Sequence, residues 1–346
     1  MKTFEIIPRD LLFLRDARPM AGDDIGYGAN WPRPDHLNAA LHHAYRQEAP
    51  HHFGGLKTFG PFPRLDGSLL LPCPLDWGMA PAPCGGTNLP APLTHAFAPK
   101  GKGGAALPQW VRQADFAAYL NGEDAAPPAP CDIYDAEINT GIGIDPLSEK
   151  MEEGNAYQAE YLRLREGVSI AFEAQYKDDG NRERFADVFD RLLNIRSFVL
   201  GGQQGVVSIR EAAPLDLPGP KPDVSTPYLR WTLVTPALFA GGWLPGWCKD
   251  TKGNAPLGTV MFKDYTFARL VAARIGKPLA FSGWEHQEGL PKPTALAVPA
   301  GSSYVFDCGS VENARKLAER LDYPRTLSDR YGEKGYGLGI CSSVSL

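Results

Sequence analysis

The sequence predicts an α+β protein of two ferredoxin-like (RRM-like, βαββαβ) domains, the first interrupted by a long Pro- and Gly-rich insertion. Three observations lead there. At 346 residues the chain is too long for one typical domain and comfortable for two. Both halves open with a strand and finish with a helix, a Gly-rich loop and a strand, a repeat of element order and not of identity. Between them, residues 214–227 hold five prolines and read as a linker. The expected domains are therefore 1–213, with an insertion at about 50–130, and 226–346. A βαββαβ unit used twice carries helices on one sheet face and leaves the other face and the Gly-rich loops for a ligand.

The elements follow in order. Thr3–Pro8 and then Leu11–Leu14 read as a strand with a proline-marked irregularity. A loop ending in Asn30-Trp31-Pro32-Arg33-Pro34 leads to Asp35, a good helix N-cap, and Leu37, Ala40, Leu41, Ala44 and Tyr45 form an amphipathic stripe. From about 50 to 130 the chain is rich in Pro and Gly, with only short strand candidates such as Ser68–Leu71. Tyr157–Arg165 and Val168–Tyr176 flank Glu166-Gly167 and read as a hairpin. Arg182–Arg196 follows as a helix, then the loop Leu200–Gly205 and the strand Val206–Arg210. The second half restarts with the strand Tyr228–Val234, a helical stretch around Tyr265–Ile275, and strands near Leu279–Trp284 and Ser303–Asp307. Ser310 caps a helix striped by Val311, Ala314, Leu317, Ala318 and Leu321, and the strand Ile340–Val344 closes the chain.

Composition narrows the classes of function. The chain is 43% hydrophobic and 22% charged, which suits an ordinary soluble core, and no apolar run is long enough to cross a bilayer. No signal-peptide pattern opens it, so a cytoplasmic protein without membrane partners is expected. The six cysteines are scattered without a CxxC pair or a Cys/His cluster, so reduced thiols and no metal site are expected. No cofactor motif stands out: Gly201-Gly202-Gln203-Gln204-Gly205 lacks the Lys-Ser/Thr that would make it a phosphate-binding Walker loop. A net charge of −5 excludes a polybasic nucleic-acid binder but not one that grips RNA with a few arginines and backbone amides.

Several clusters invite such a role. The glycines of Gly335-Tyr336-Gly337-Leu338-Gly339 would let backbone amides approach a phosphate, with Lys334 and Arg330 adding charge; a tight turn into the last strand is the plain alternative. Arg15 and Arg18 could grip phosphates or form an ion-pair lattice with Asp16. Arg163 and Arg165 share a strand face with Tyr161, opposite Leu162 and Leu164, which suits RNA backbone and stacking or a solvated face. His42 and His43 fall off the apolar stripe. His36, near the same helix, has no second catalytic partner apparent in the sequence, and the spacing of Asp145 and Glu149 does not demand an acid pair.

A family resemblance rests on five blocks in order. Pro8–Met20 (PRDLLFLRDARPM) and Trp31–Leu41 (WPRPDHLNAAL) resemble the two N-terminal signatures of the third subunit of the type III-B CRISPR (Cmr) effector, in the repeat-associated mysterious protein (RAMP) superfamily. Gly141–Pro146 with Tyr157 and Tyr161-Leu162-Arg163 resembles a mid-chain block, Leu200-Gly201-Gly202 its "LGGEGR" and Gly335–Gly339 the RAMP glycine-rich loop. Met20 and Asn38 depart from the pattern, and Gln204-Gly205 stands where Gly-Arg is usual, removing a basic side chain. The resemblance implies a non-catalytic subunit that binds the 5′ repeat-derived handle of the guide RNA and joins the large cyclase/nuclease subunit to the adjacent backbone RAMP subunits. The RNA-binding positions it implies are Arg15, Arg18, Asn30, His36, Arg163, Arg165, Gly201, Gly202, Gln203, Gln204, Arg330, Lys334, Gly335, Tyr336, Gly337 and Gly339. Within the same superfamily the competing reading is a standalone, metal-independent endoribonuclease that processes guide RNA, with a histidine such as His36 as base.

Overall fold

A computed structural model of the chain describes residues 1–15, 25–48, 55–85, 88–100, 106–124, 126, 128–144, 151–176, 193–217, 224–248, 256–261, 267–282, 284–285, 290–291 and 293–346. Its elements, in chain order, are β1 (Lys2–Pro8), β2 (Ile25–Gly26), α1 (Pro34–Glu48), β3 (Leu56–Leu65), β4 (Ser68–Pro72), β5 (Met79–Pro83), β6 (His95–Pro99), β7 (Trp110–Arg112) and α2 (Gln113–Leu120). There follow β8 (Tyr134–Ile144), β9 (Met151–Leu164), β10 (Val168–Tyr176), β11 (Ser197–Val199), β12 (Val206–Glu211), β13 (Tyr228–Leu233), β14 (Thr259–Met261) and β15 (Phe267–Arg274). Four short strands, β16 (Leu279–Phe281), β17 (Trp284–Glu285), β18 (Leu290–Pro291) and β19 (Ala295–Ala297), precede β20 (Ser303–Asp307), α3 (Val311–Leu321) and β21 (Gly339–Ser343). The fold is mixed α+β, dominated by strands.

The chain forms two compact units that interleave in sequence. One comprises Met1–Gly67, Asp132–Leu215 and Ala280–Ala295; the other comprises Ser68–Cys131, Asp216–Leu279 and Leu296–Leu346. In the first unit the antiparallel strands run in the order β11-β12-β1-β10-β3. Helix α1 buries the stripe expected of it, with Leu37, Ala40, Leu41, Ala44 and Tyr45 all inside, and packs on β3 and β11. Phe4 of β1 and Phe172 of β10 stack 5.5 Å apart in this core. Glu5 of β1 is buried and receives Arg64 of β3 at 2.7 Å and Arg210 of β12 at 2.6 Å. Burial alone would raise its pKa, but the two guanidiniums hold it below the usual value.

In the second unit the order is β14-β15-β20-β13-β21, again antiparallel, with α3 laying Ala314, Leu317, Ala318 and Leu321 on the sheet. Ser310 accepts the Asn313 N–H at 3.1 Å, so the expected cap is in place. Trp231 is fully buried at the centre, its indole donating to the Leu321 carbonyl at 3.1 Å. Beside it Arg230 is also buried, paired with Asp76 at 3.4 Å. Its guanidinium lies 3.8 Å over the Tyr119 ring and bonds Ser342 Oγ and the Tyr119 carbonyl. Asp76 in turn accepts from the Tyr119 hydroxyl at 2.7 Å and from Ser303 at 2.6 Å.

Several expectations change. Glu166-Gly167 does turn the chain, but β9 and β10 do not form a hairpin: β9 pairs with β8 and β2, β10 with β1 and β3. A local turn signal carries no information on which partner each strand then chooses. The helix expected around Tyr265–Ile275 is strand β15 in its described part. Ala268 and Leu270 are buried while Phe267 and Arg269 are exposed, but a register irregularity between Leu270 and Ala272 then breaks the period of two, so Leu270, Val271 and Ala272 are buried in succession. Inside the expected insertion lies the ten-residue strand β3, whose Gly60-Pro61 and Pro63 read as loop; a register irregularity opposite Ala171–Glu173 accommodates them. The rest of that stretch, from Ser68, clusters with the second unit. The helix expected at Arg182–Arg196 lies outside the described residues up to residue 192. No described helix is long and apolar enough to cross a membrane.

Two predictions follow from the second unit. Asp76→Ala strands a buried guanidinium and is expected to cost roughly 3–5 kcal/mol in chemical denaturation. Asp322, at the end of α3, is buried with one oxygen unpartnered among the described residues, the other accepting the Cys341 N–H; burial pushes its pKa up to about 7. The folded state therefore binds a proton more tightly than the unfolded chain, whose Asp titrates near ~3.9. Stability from this group is full below that value and declines as pH rises to about 7, by on the order of 4 kcal/mol. Asp322→Asn should flatten the decline, read as denaturation midpoints between pH 4 and 8.

Candidate nucleic-acid interface

In the first unit one short segment, Leu11–Arg15, gathers much of what the sequence singled out. After Arg9, whose N–H still bonds the Val206 carbonyl at 3.0 Å, the chain leaves the sheet ladder, and residues 11–15 then pair on several sides. Leu12 exchanges backbone hydrogen bonds with Leu162 of β9, at 2.9 and 2.8 Å. The Phe13 carbonyl accepts from the Gly202 N–H at 2.8 Å, tying in the turn between β11 and β12. Arg15 bridges to Gly28, and Ala29, next to the exposed Asn30, donates to the Leu14 carbonyl at 2.6 Å. Leu12 and Leu14 are buried, so the alternation aims Phe13 and Arg15 away from the core.

The turn itself is exposed from Gly201 to Gln204. It closes through Leu200 N–H to the Gly205 carbonyl at 2.9 Å. Gly202 is required by close approach: a Cβ there would meet the Phe13 ring at 2.9 Å. Gln203 and Gln204 hold left-handed φ values of 53° and 54°. Among the described residues neither their N–H groups nor their side chains have a hydrogen-bond partner. Phe13 also packs its ring on Tyr161 of β9, centroids 5.3 Å apart. The Arg15 side chain is exposed and, among the described residues, unpaired.

Arg163 and Arg165 lie on the expected strand face, exposed, with Leu162 buried on the other. Neither is a free cation. Arg163 binds Glu137 of β8 through two nitrogens and reaches Asp10 at 3.4 Å. Arg165 forms a two-pronged bond to Asp135 at 2.7 and 3.1 Å, with Asp132 at 3.6 Å. Hydrogen bonds donated to these carboxylates raise both arginine pKa values, and Arg165 lowers that of Asp135. The strand pair is laced by ion pairs, and its net charge is not basic.

His36 sits at the start of α1. Its Nε2 lies 2.9 Å from the Arg33 guanidinium and its Nδ1 3.4 Å from the Arg33 backbone N–H, so both ring nitrogens face donors of Arg33. Burial, with help from Arg33 and against Asp35, lowers its pKa to about 4. A histidine so held is a poor general base, and its accepting nitrogen is occupied. Arg18 and the carboxylates Asp145 and Glu149 lie outside the described residues. Among the described residues no group of three or more His, Cys, Asp or Glu could hold a metal.

The C-terminal glycine loop, in the second unit, is different. Gly335, Tyr336, Gly337, Leu338 and Gly339 are all buried. Their amides are consumed internally: Gly335 N–H bonds the Gly332 carbonyl at 3.0 Å, Gly337 N–H that of Pro236 at 2.8 Å and Leu338 N–H the Thr235 hydroxyl at 2.9 Å. The phosphate cradle expected of them is a packed turn. Gly337, at φ 76°, lies so close to the Ser328 backbone that a Cβ would collide with it. Only the rim carries charge, with Arg330 exposed and Lys334 4.2 Å over the Tyr331 ring. Sequence reasoning missed Phe13 as the hinge of the other site, although it lies inside the N-terminal signature.

The family model of CRISPR-associated protein Cas_Cmr3 matches residues 4–343, and the chain belongs to that family. It is a type III-B (Cmr) subunit. Its fold is similar to a chain of a type III-B Cmr-beta complex bound to cognate target RNA, at 15% identity and TM-score 0.53, covering 99% of both chains. A second Cmr-beta structure, bound to target RNA and AMPPnP, matches at 15% identity and TM-score 0.51 over 88% of this chain and 86% of that one. No curated protein matches significantly.

The packed loop leads to a clear expectation. Gly337→Val should lower folding stability by about 2 kcal/mol or more, through forced positive φ and collision with Ser328. Lys334→Ala should change it by less than about 0.5 kcal/mol. Thermal denaturation of the two variants checks both.

Proposed function

We propose that the chain is the non-catalytic subunit of a cytoplasmic type III-B ribonucleoprotein that binds the 5′ repeat-derived handle of the guide RNA. It joins the large cyclase/nuclease subunit to the adjacent backbone RAMP subunits. Each unit is read as ferredoxin-like. With β1, β3, β10 and β12 as the four successive strands, the first sheet runs fourth, first, third, second; β13, β15, β20 and β21 repeat that order in the second.

The observation that carries the RNA reading is that two stretches distant in sequence, residues 160–163 and 200–205, meet the N-terminal segment Leu11–Arg15. Together they present an arginine and two turn amides that are unpaired among the described residues, and an aromatic pair, which suits single-stranded RNA. A chain of net charge −5 has no general attraction for RNA, so a few such groups must concentrate the affinity. The non-catalytic role rests on His36, whose accepting nitrogen is engaged by Arg33.

Reconstitution of the complex with Arg15→Ala should weaken guide retention and reduce the slope of log affinity against log salt by about one phosphate contact. Purified protein incubated with repeat RNA without metal should leave it intact. Unchanged retention and slope, or cleavage lost in His36→Ala, would overturn the reading.

A further inference from the structure

The turn between β11 and β12 departs from what a phosphate-gripping loop needs. At its tip stand two glutamines, Gln203 and Gln204, in successive left-handed conformations at φ 53° and 54°. Side chains other than glycine rarely adopt that region because Cβ crowds the backbone, and glycine would relieve the strain. The fold nevertheless presents both carboxamides exposed, with no partner among the described residues. Strain of this kind concentrates where side chains are held for a ligand.

The chemistry of a carboxamide narrows that ligand. It is neutral and sets one donor group beside one acceptor. A phosphate oxygen only accepts, so half of the carboxamide would face it unpaired. The edge of an unpaired base offers a donor and an acceptor side by side, and adenine matches a glutamine in two hydrogen bonds. The surroundings fit a base as well. Gly202 fixes the turn to Phe13, whose ring lies on Tyr161, and unpaired bases stack on such aromatic groups. Arg15, two residues beyond Phe13 and unpaired among the described residues, is the group suited to the neighbouring phosphate.

We infer that the Gln203-Gln204 turn reads the edge of an unpaired base in the guide RNA, adenine above the others, while Arg15 holds the backbone beside it. The inference rests on the handle-binding reading above. It assigns sequence discrimination to a turn in which the usual basic residue is missing.

The test uses the reconstituted complex and a panel of synthetic guide RNAs, each with one nucleotide of the repeat-derived 5′ segment made abasic. Retention is measured against salt for the parent and for the double variant Gln203→Gly, Gln204→Gly, in which glycine suits the left-handed backbone and preserves the turn. In the parent, one abasic position is expected to weaken retention about tenfold. In the variant the intact guide should bind about tenfold more weakly, the same abasic position should cost nothing further, and the salt slope should be unchanged. An abasic penalty that persists in the variant, or a slope that falls with the side chains, overturns base reading and leaves handle binding standing. Equal retention by the parent of guides with and without the 5′ segment overturns both.

Discussion

A guanidinium buried in the middle of a sheet organises the second unit. Taking Arg230 out of water carries a desolvation penalty of several kcal/mol, recovered only when its donors are met by partners in good geometry. The sheet itself offers Ser342 and little else; the carboxylate comes from Asp76, and the ring and carbonyl from Tyr119 of α2. Residues 68–131 are therefore partners of the second sheet, however early they occur in the chain. Asp76 satisfies Tyr119 and Ser303 as well, so one carboxylate completes a network drawn from β13, β20, β21 and α2. The polar arrangement specifies which elements meet, a job that aliphatic packing, being non-directional, does less selectively.

The first unit solves a related problem in a different place. Glu5 lies between Arg64 and Arg210, and Arg64 also donates to the carbonyls of Ala213 and Pro214, holding the chain as it leaves that unit. With β1 fixed between β10 and β12, the departure after Pro8-Arg9 is what frees residues 11–15 to meet β9 and the β11–β12 turn. The surface around residues 11–15 thus depends on a strand that stops pairing in its own sheet. Proline, which cannot donate, is the residue that makes such a stop tolerable.

How much of this was legible in the sequence depended on whether the signal was local. The α1 stripe, the Ser310 cap and the Tyr228 strand are written in periodicity or in one hydrogen bond, and the structure contains them as read. Strand β15 was hidden because a register irregularity between Leu270 and Ala272 breaks its alternation of buried and exposed positions. Strand β3 was hidden because Gly60-Pro61 and Pro63 look like loop until the partner's irregularity is seen. At the site, the Gln203-Gln204 turn and Arg163 were readable as residues. Their gathering around Phe13 was not, because it depends on bridges between residues about 150 to 190 positions apart. The neutralisation of Arg163 and Arg165 was hidden for the same reason: their carboxylates lie across the strand pair.

The two glycine loops show why a shared composition does not imply a shared role. At Gly335–Gly339 the missing side chains let the backbone sink: the loop is buried, its amides bond Gly332, Pro236 and Thr235, and Trp231 occupies the space beside Gly339. At Gly201-Gly202 they let the Phe13 carbonyl and ring come close, and the next two residues are exposed, with amides unpaired among the described residues. Glycine serves packing in one case and presentation in the other. What decides between them is where the freed N–H groups go, since a buried amide must be paired and an exposed one need not be. The loop whose amides are unpaired among the described residues is therefore the one with donors to offer a ligand.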